Sequence, residues 1–247
     1  MKKLGIFFFV GVLCFGLFVS CEKVREFLDE TEPFELFDDF HSIDEERWIF
    51  LGGTGLGKGQ EETTAGVSIS EGIMSLEVVK TNDGPFMHGE AIPITDGDVL
   101  TIERRVKVSP ASDKHLGGIF IRGTEQAGLH SDFEVSIVNI QYVDYSWDGS
   151  THQGDWNLFV LNQPLWVEQS PNQLFNTTEP VWNEWFEEKI VYDSGTGNTT
   201  YFINGEKVIE AQARSEIEND FVKVIISPYG WYTGHKTQME WISVTLE

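Results

Sequence analysis

Apolar and polar residues alternate with a period of two along most of this chain. The clearest case is Val99 to Val108, where Ile102, Arg104, Val106 and Val108 share one side while Thr101, Glu103, Arg105 and Lys107 share the other. Such a segment is a strand with one dry face and one face that meets water or a ligand. Runs rich in β-branched and aromatic residues predict further strands at Ile73 to Lys80, Leu116 to Arg122, Asp132 to Val143, Trp156 to Leu161, Trp185 to Tyr192, Thr199 to Ile203, Phe221 to Ser227 and Met239 to Leu246. Breakers stand between them at Asn82-Asp83-Gly84-Pro85, Thr95-Asp96-Gly97, Ser194-Gly195-Thr196-Gly197 and Pro228-Tyr229-Gly230. Asn204-Gly205, flanked by strand residues, predicts a two-residue hairpin turn. No sustained helical period interrupts the series, so the pattern predicts an all-β, two-sheet antiparallel sandwich.

The first residues follow a different pattern. Lys2-Lys3 and the apolar run from Leu4 to Val19 have the layout of a secretory signal, and the run is too short for a membrane span. Residues 1–20 are therefore expected to be a signal peptide. Phe18-Val19-Ser20-Cys21 resembles the lipobox of bacterial lipoproteins, with Phe18 where Leu is usual. Cys14 would leave with the leader, so Cys21 alone would remain and no internal disulfide is available. Acylation of Cys21 would account for it and would anchor the chain to the cell envelope, since each buried methylene contributes roughly 0.8 kcal/mol. The alternative is an ordinary secreted protein with a spare thiol. Residues 21–34, acidic and containing Pro33, read as a tether, and 35–247 as one domain without repeats.

Charge narrows the partners. Against 17 Lys and Arg stand 40 Asp and Glu, a net charge of −23, which disfavours nucleic acid and anionic lipid surfaces as partners. A domain of this length can bury a full core.

Candidate chemistry centres on Gly117 to Arg122 and the following Asp132-Phe133-Glu134-Val135-Ser136-Ile137-Val138-Asn139. Strict alternation would put Glu134, Ser136 and Val138 on one face. A carboxylate on an apolar strand implies catalysis, ligand binding, or a partner such as Arg104 or Arg122 across the sheet.

The order of elements resembles the concanavalin A-like lectin and glucanase superfamily, jelly rolls of two curved antiparallel sheets. Four places carry the resemblance. Phe37-Asp38-Asp39-Phe40 with Trp48 is similar to the first strand of such domains. Arg104 to Val108 leading into Gly117-Gly118-Ile119-Phe120 looks like a central strand pair. Trp185 to Tyr192 with the Asn204-Gly205 hairpin resembles the late strands, and Glu240 to Val244 the closing strand beside the first. Within the superfamily, family 16 glycoside hydrolases carry Glu-x-Asp-x-x-Glu or Glu-x-Asp-x-Glu. On that motif Glu134 takes the place of the first carboxylate, Ser136 of the helper Asp, and Val138 or Asn139 of the acid. Retaining hydrolysis needs two carboxyl groups about 5–5.5 Å apart. Only Glu134 is retained, with Asp132 as the conceivable second, so the resemblance implies binding rather than turnover.

Asp144, Ser146, Asp148 and Asp155 have the spacing of a calcium loop similar to that of an EF-hand, with oxygen ligands at alternate positions and Gly149 at the turn; a loop of Asx turns is the alternative. Trp147, Trp156 and Trp231 lie in or beside loops, where a flat ring can stack on a sugar or cap the edge of the core. Gly52 to Gly59 is no phosphate loop, because Gly59 stands where Ser or Thr is required. The six histidines show no paired metal-ligand spacing, and no Gly-x-Ser-x-Gly elbow occurs.

The expected protein is an exported, lipid-anchored cell-envelope protein with a non-catalytic carbohydrate-binding jelly roll. Its ligand would meet Glu134, Asn139, Arg122, Trp147, Trp156 and Trp231, with Ca2+ at the acidic loop. Two alternatives stay open: a glycoside hydrolase using Glu134 and Asp132, and a structural or adhesion protein without a sugar site.

Overall fold

A computed structural model describes residues 33–52, 61–80, 84–109, 117–129, 135–142, 156–159, 173–175, 183–212, 220–228 and 233–247, some of them by their backbone alone. The described strands, in chain order, are β1 (Phe34–Asp38), β2 (Trp48–Gly52), β3 (Glu61–Glu62), β4 (Val67–Ser70), β5 (Ile73–Glu77), β6 (Phe86–Gly89), β7 (Ile92–Pro93), β8 (Val99–Ser109) and β9 (Gly117–Thr124). They continue with β10 (Val135–Tyr142), β11 (Trp156–Phe159), β12 (Gln173–Phe175), β13 (Phe186–Asp193), β14 (Asn198–Ile203), β15 (Glu206–Gln212), β16 (Phe221–Ser227) and β17 (Lys236–Leu246). Glu35–Glu247 forms one compact unit.

The strands form two antiparallel sheets. The first has the order β15-β14-β13-β8-β17-β5-β4, with β1 beside β17; the second has the order β12-β11-β10-β9-β16-β6-β2-β3, with β7 beside β16. The alternation in β8 emerges as read: Leu100, Ile102, Arg104, Val106 and Val108 are buried, and the residues between them are half-exposed. The Asn204-Gly205 turn is also as read, with φ of 49° and 78° and Ile203 paired to Glu206 across it.

One expectation fails. The segments at 104–108 and 117–120 are not a strand pair, because β8 is bonded to β13 and β17 in the first sheet and β9 to β10 and β16 in the second. The physical reason lies in their faces. β8 keeps one side wet, whereas every residue from Gly118 to Thr124 in β9 is buried, so the two belong to sheets with different surroundings.

Arg104, inward-facing in β8, is held by the first sheet itself. Its Nε donates to Glu188 Oε2 at 2.5 Å, and the Tyr201 hydroxyl donates to Glu188 Oε1 at 2.8 Å. All three side chains are fully buried or nearly so. Arg104 is therefore engaged by Glu188 of its own sheet, not set across the sheet from the strand that follows Glu134.

Candidate functional site

Cross-strand register sorts the second sheet into two faces. Trp48, Phe50, Met87, Ile226, Val224, Ile121, Ile119 and Val138 follow one another across neighbouring strands on one face, and all are apolar and buried. Trp48 Nε1 donates to Asp38 Oδ2 at 2.8 Å, at the end of β1 in the first sheet. The apolar face is therefore the one turned toward the first sheet. The opposite face is mixed: His88 of β6, Ile225 and Lys223 of β16, and Phe120 and Arg122 of β9 lie side by side, with Lys223 directly opposite Arg122.

This mixed face is a buried, positively charged surface on an aromatic floor. Phe86, Phe120 and Ile225 form its apolar cluster, and the Arg122 guanidinium carbon lies 5.3 Å from the centre of the Phe120 ring. Lys223 Nζ donates to the carbonyl of Leu129. Burial pushes the His88 imidazole down to about 3, and the nearby Lys223 and Arg122 charges push in the same direction. His88 is thus neutral at ordinary pH. Burial also lowers Arg122 to about 9, which leaves it charged at neutral pH.

The bulge in β10 changes the reading of the strand after Glu134. Ser136 pairs with Arg122, yet Val138 pairs with Ile121, so one extra residue is accommodated between them. Ser136 and Val138 therefore fall on opposite faces. Val138 is fully buried, and Asn139, opposite Phe120, takes up the face that carries Arg122. Of the two residues that matched the family 16 acid, the register selects Asn139. An amide cannot donate a proton as a carboxylic acid does, and β6, β9, β10 and β16 contain no Asp or Glu.

Three sequence-predicted residues fall on adjacent strands of this sheet: Arg122 on β9, Asn139 on β10 and Trp156 on β11. Arg122 and Asn139 share a face. Trp156 pairs with Tyr142 of β10 and Phe175 of β12. Glu134, Asp132, Trp147, Trp231, the acidic-loop residues Asp144, Ser146, Asp148 and Asp155, and Cys21 lie outside the described residues. His88 and Lys223 were not among the expected site residues. For Lys223 the signal was a lone lysine inside the apolar run Phe221 to Ile226; for His88, four residues after Gly84-Pro85 were too few to read as a strand.

No family model matches the sequence, and neither does any curated protein. Solved structures do match in shape. A peanut lectin with a nine-residue peptide aligns with a TM-score of 0.56 at 12% identity, over 88% of this chain and 98% of that one. The β-agarase B of Zobellia galactanivorans aligns at 0.55 and 14%, over 87% and 92%. Alginate lyase AlyC3 aligns at 0.56 and 8%, over 82% and 89%. At these identities the likeness is one of fold: an all-β jelly roll of two antiparallel sheets.

Proposed function

We propose that the chain is a cell-envelope protein, lipid-anchored through Cys21, whose jelly roll binds a poly- or oligosaccharide on the mixed face of the second sheet without cleaving it. The β10 bulge is the observation that supports the non-catalytic reading, because it brings Asn139 rather than Val138 into register with Ser136, where the family 16 motif has its acid. The shared fold with a lectin, an agarase and an alginate lyase supports a carbohydrate ligand. Arg122 is fully buried, so it acts from beneath and leaves direct contact to Glu134 and Asn139, with Trp147 and Trp231 stacking from the loops. Trp156, on β11, is the third stacking residue of this reading. Calcium at Asp144, Ser146, Asp148 and Asp155 would order the loop that carries Trp147.

A polysaccharide pull-down, run with calcium and with chelator, tests this. Wild type is expected to bind at least one polymer without releasing reducing ends. Asn139→Ala is expected to bind about five- to tenfold more weakly, the effect of roughly one hydrogen bond. Absence of binding across the panel would leave a structural protein, and turnover lost in Glu134→Gln would establish a hydrolase instead.

The anchor has a separate test. Cys21→Ser is expected to abolish incorporation of labelled fatty acid and to release the protein from the membrane fraction. Unchanged labelling would exclude Cys21 as the attachment point.

A further inference from the structure

The outer face of the first sheet carries an aromatic surface on the opposite side of the sandwich from the site above. Phe37 of β1 is 55% exposed and stacks on Trp241 of β17, with ring centres 6.4 Å apart and planes 25° from parallel. Trp241 pairs with Arg105 across the strands, and the next outward residue along β8, Lys107, holds its ammonium 5.0 Å from the centre of the Trp185 ring. Two half-exposed tryptophans thus flank β8, one beyond each edge of that strand. With neighbouring strands about 4.8 Å apart, the rings are separated by roughly two strand spacings across the sheet, or about 10 Å.

Charge around the rings is balanced within the face. Arg105 pairs with Glu240 at 3.2 Å, Lys189 with Glu103 at 2.9 Å and Lys236 with Glu77 at 2.9 Å. In a chain of net charge −23 this patch therefore offers little field to an ion, while presenting a dense set of donors and acceptors beside flat apolar rings. That combination suits an uncharged ligand with apolar faces and many hydroxyls. A protein partner fits less well. Three aromatic side chains, each contributing at most about 150–250 Å2 and already half covered, fall short of the roughly 800 Å2 per partner of a stable interface.

We propose that Phe37, Trp241 and Trp185 form a second binding platform, for a neutral, linear polysaccharide, on the outer face of the first sheet. Its ligand lies across β8, with sugar rings stacked on Trp241 and Trp185. The platform does not depend on the site in the second sheet and shares no residue with it.

The test is titration of the full chain with neutral hexasaccharides of β-linked glucose, galactose and mannose, followed by calorimetry and by tryptophan emission. At least one is expected to bind with a shift in emission, and Phe37→Ala and Trp241→Ala are each expected to weaken it tenfold or more. A thermal melt checks the fold of each variant; Phe37→Ala removes an exposed ring and is the more secure of the two. The loss caused by Phe37→Ala is expected to be the same in an Asn139→Ala background as in wild type, which separates the failure of this platform from that of the first site. The platform is overturned if no neutral hexasaccharide binds, if both variants bind as wild type does, or if the two substitutions instead abolish a concentration-dependent dimer. Preference for uronate or sulfated oligomers over every neutral one would overturn it as well.

Discussion

Replacing Arg104 with alanine is expected to lower stability by about 3–5 kcal/mol, because it strands the Glu188 carboxylate in a fully buried site. For a domain of this size that is a fall in melting temperature of about 6–20 °C. The effect is large because three adjacent strands meet at the pair: Arg104 belongs to β8, Glu188 sits directly opposite it on β13, and Tyr201 reaches in from β14. Arg104 Nη1 also lies 3.6 Å from the Met239 sulfur of β17 on the other flank. The triple variant Arg104→Met, Glu188→Leu and Tyr201→Phe, which also removes the buried hydroxyl that donates to Glu188, separates desolvation from packing. It is expected to melt within a few degrees of wild type or above it, since apolar residues of similar volume carry no desolvation cost. If Arg104→Ala melted within 2 °C of wild type, the pair would not contribute in this way.

The first sheet was legible in the sequence because its strands keep one face wet. Glu103, Arg105 and Lys107 mark the outer side of β8 as clearly as Ile102 and Val106 mark the inner. The second sheet hides its pattern. Phe86-Met87-His88-Gly89 is buried at every position, and Trp48-Ile49-Phe50 likewise, so neither alternates in polarity and neither is long enough to stand out. The first sheet and the longer runs of the second, β9, β10, β11 and β16, could thus be inferred, while β2 and β6 could not.

The bulge in β10 was legible in principle. Ser136 is polar, Ile137 and Val138 are two successive apolar residues, and Asn139 and Gln141 resume the polar positions one step out of phase. A doubled apolar residue followed by a change of phase is what an inserted residue in a strand produces. Strict alternation through Val138 misassigned that position, and the alternative alignment to Asn139 is the one the register supports. The partnering of Arg104 was not legible, because a lone Glu188 on the inner side of β13 looks no different from Glu134 until the strand order is known.

Between pH 7.5 and pH 5 the chain is expected to lose about 4 kcal/mol of stability through two histidines. His88 and His235 are both pushed down to about 3, chiefly by burial, with Lys223 and Arg122 adding to the effect on His88. Their folded-state values lie below the unfolded value of about 6.5, so the unfolded chain binds protons that the folded chain excludes. Their contribution is fully present above pH 6.5 and is lost as pH falls toward 3. Each unit of pH below 6.5 costs about 1.4 kcal/mol per histidine, hence about 2 kcal/mol each at pH 5. The lowered carboxylates Asp39, Asp193 and Glu210 titrate at lower pH and are exposed, which leaves the upper part of the window to the histidines. Urea midpoints at the two pH values measure the loss. His88→Gln and His235→Gln are each expected to remove about half of it, and a midpoint independent of pH in wild type would contradict the burial of both imidazoles. For the mixed face of the second sheet the consequence is specific: protonating His88 would set a third positive charge beside Lys223 and Arg122. That protonation lies near pH 3 in the folded chain, so ligand binding there is expected to stay unchanged between pH 7.5 and pH 5 while the chain remains folded.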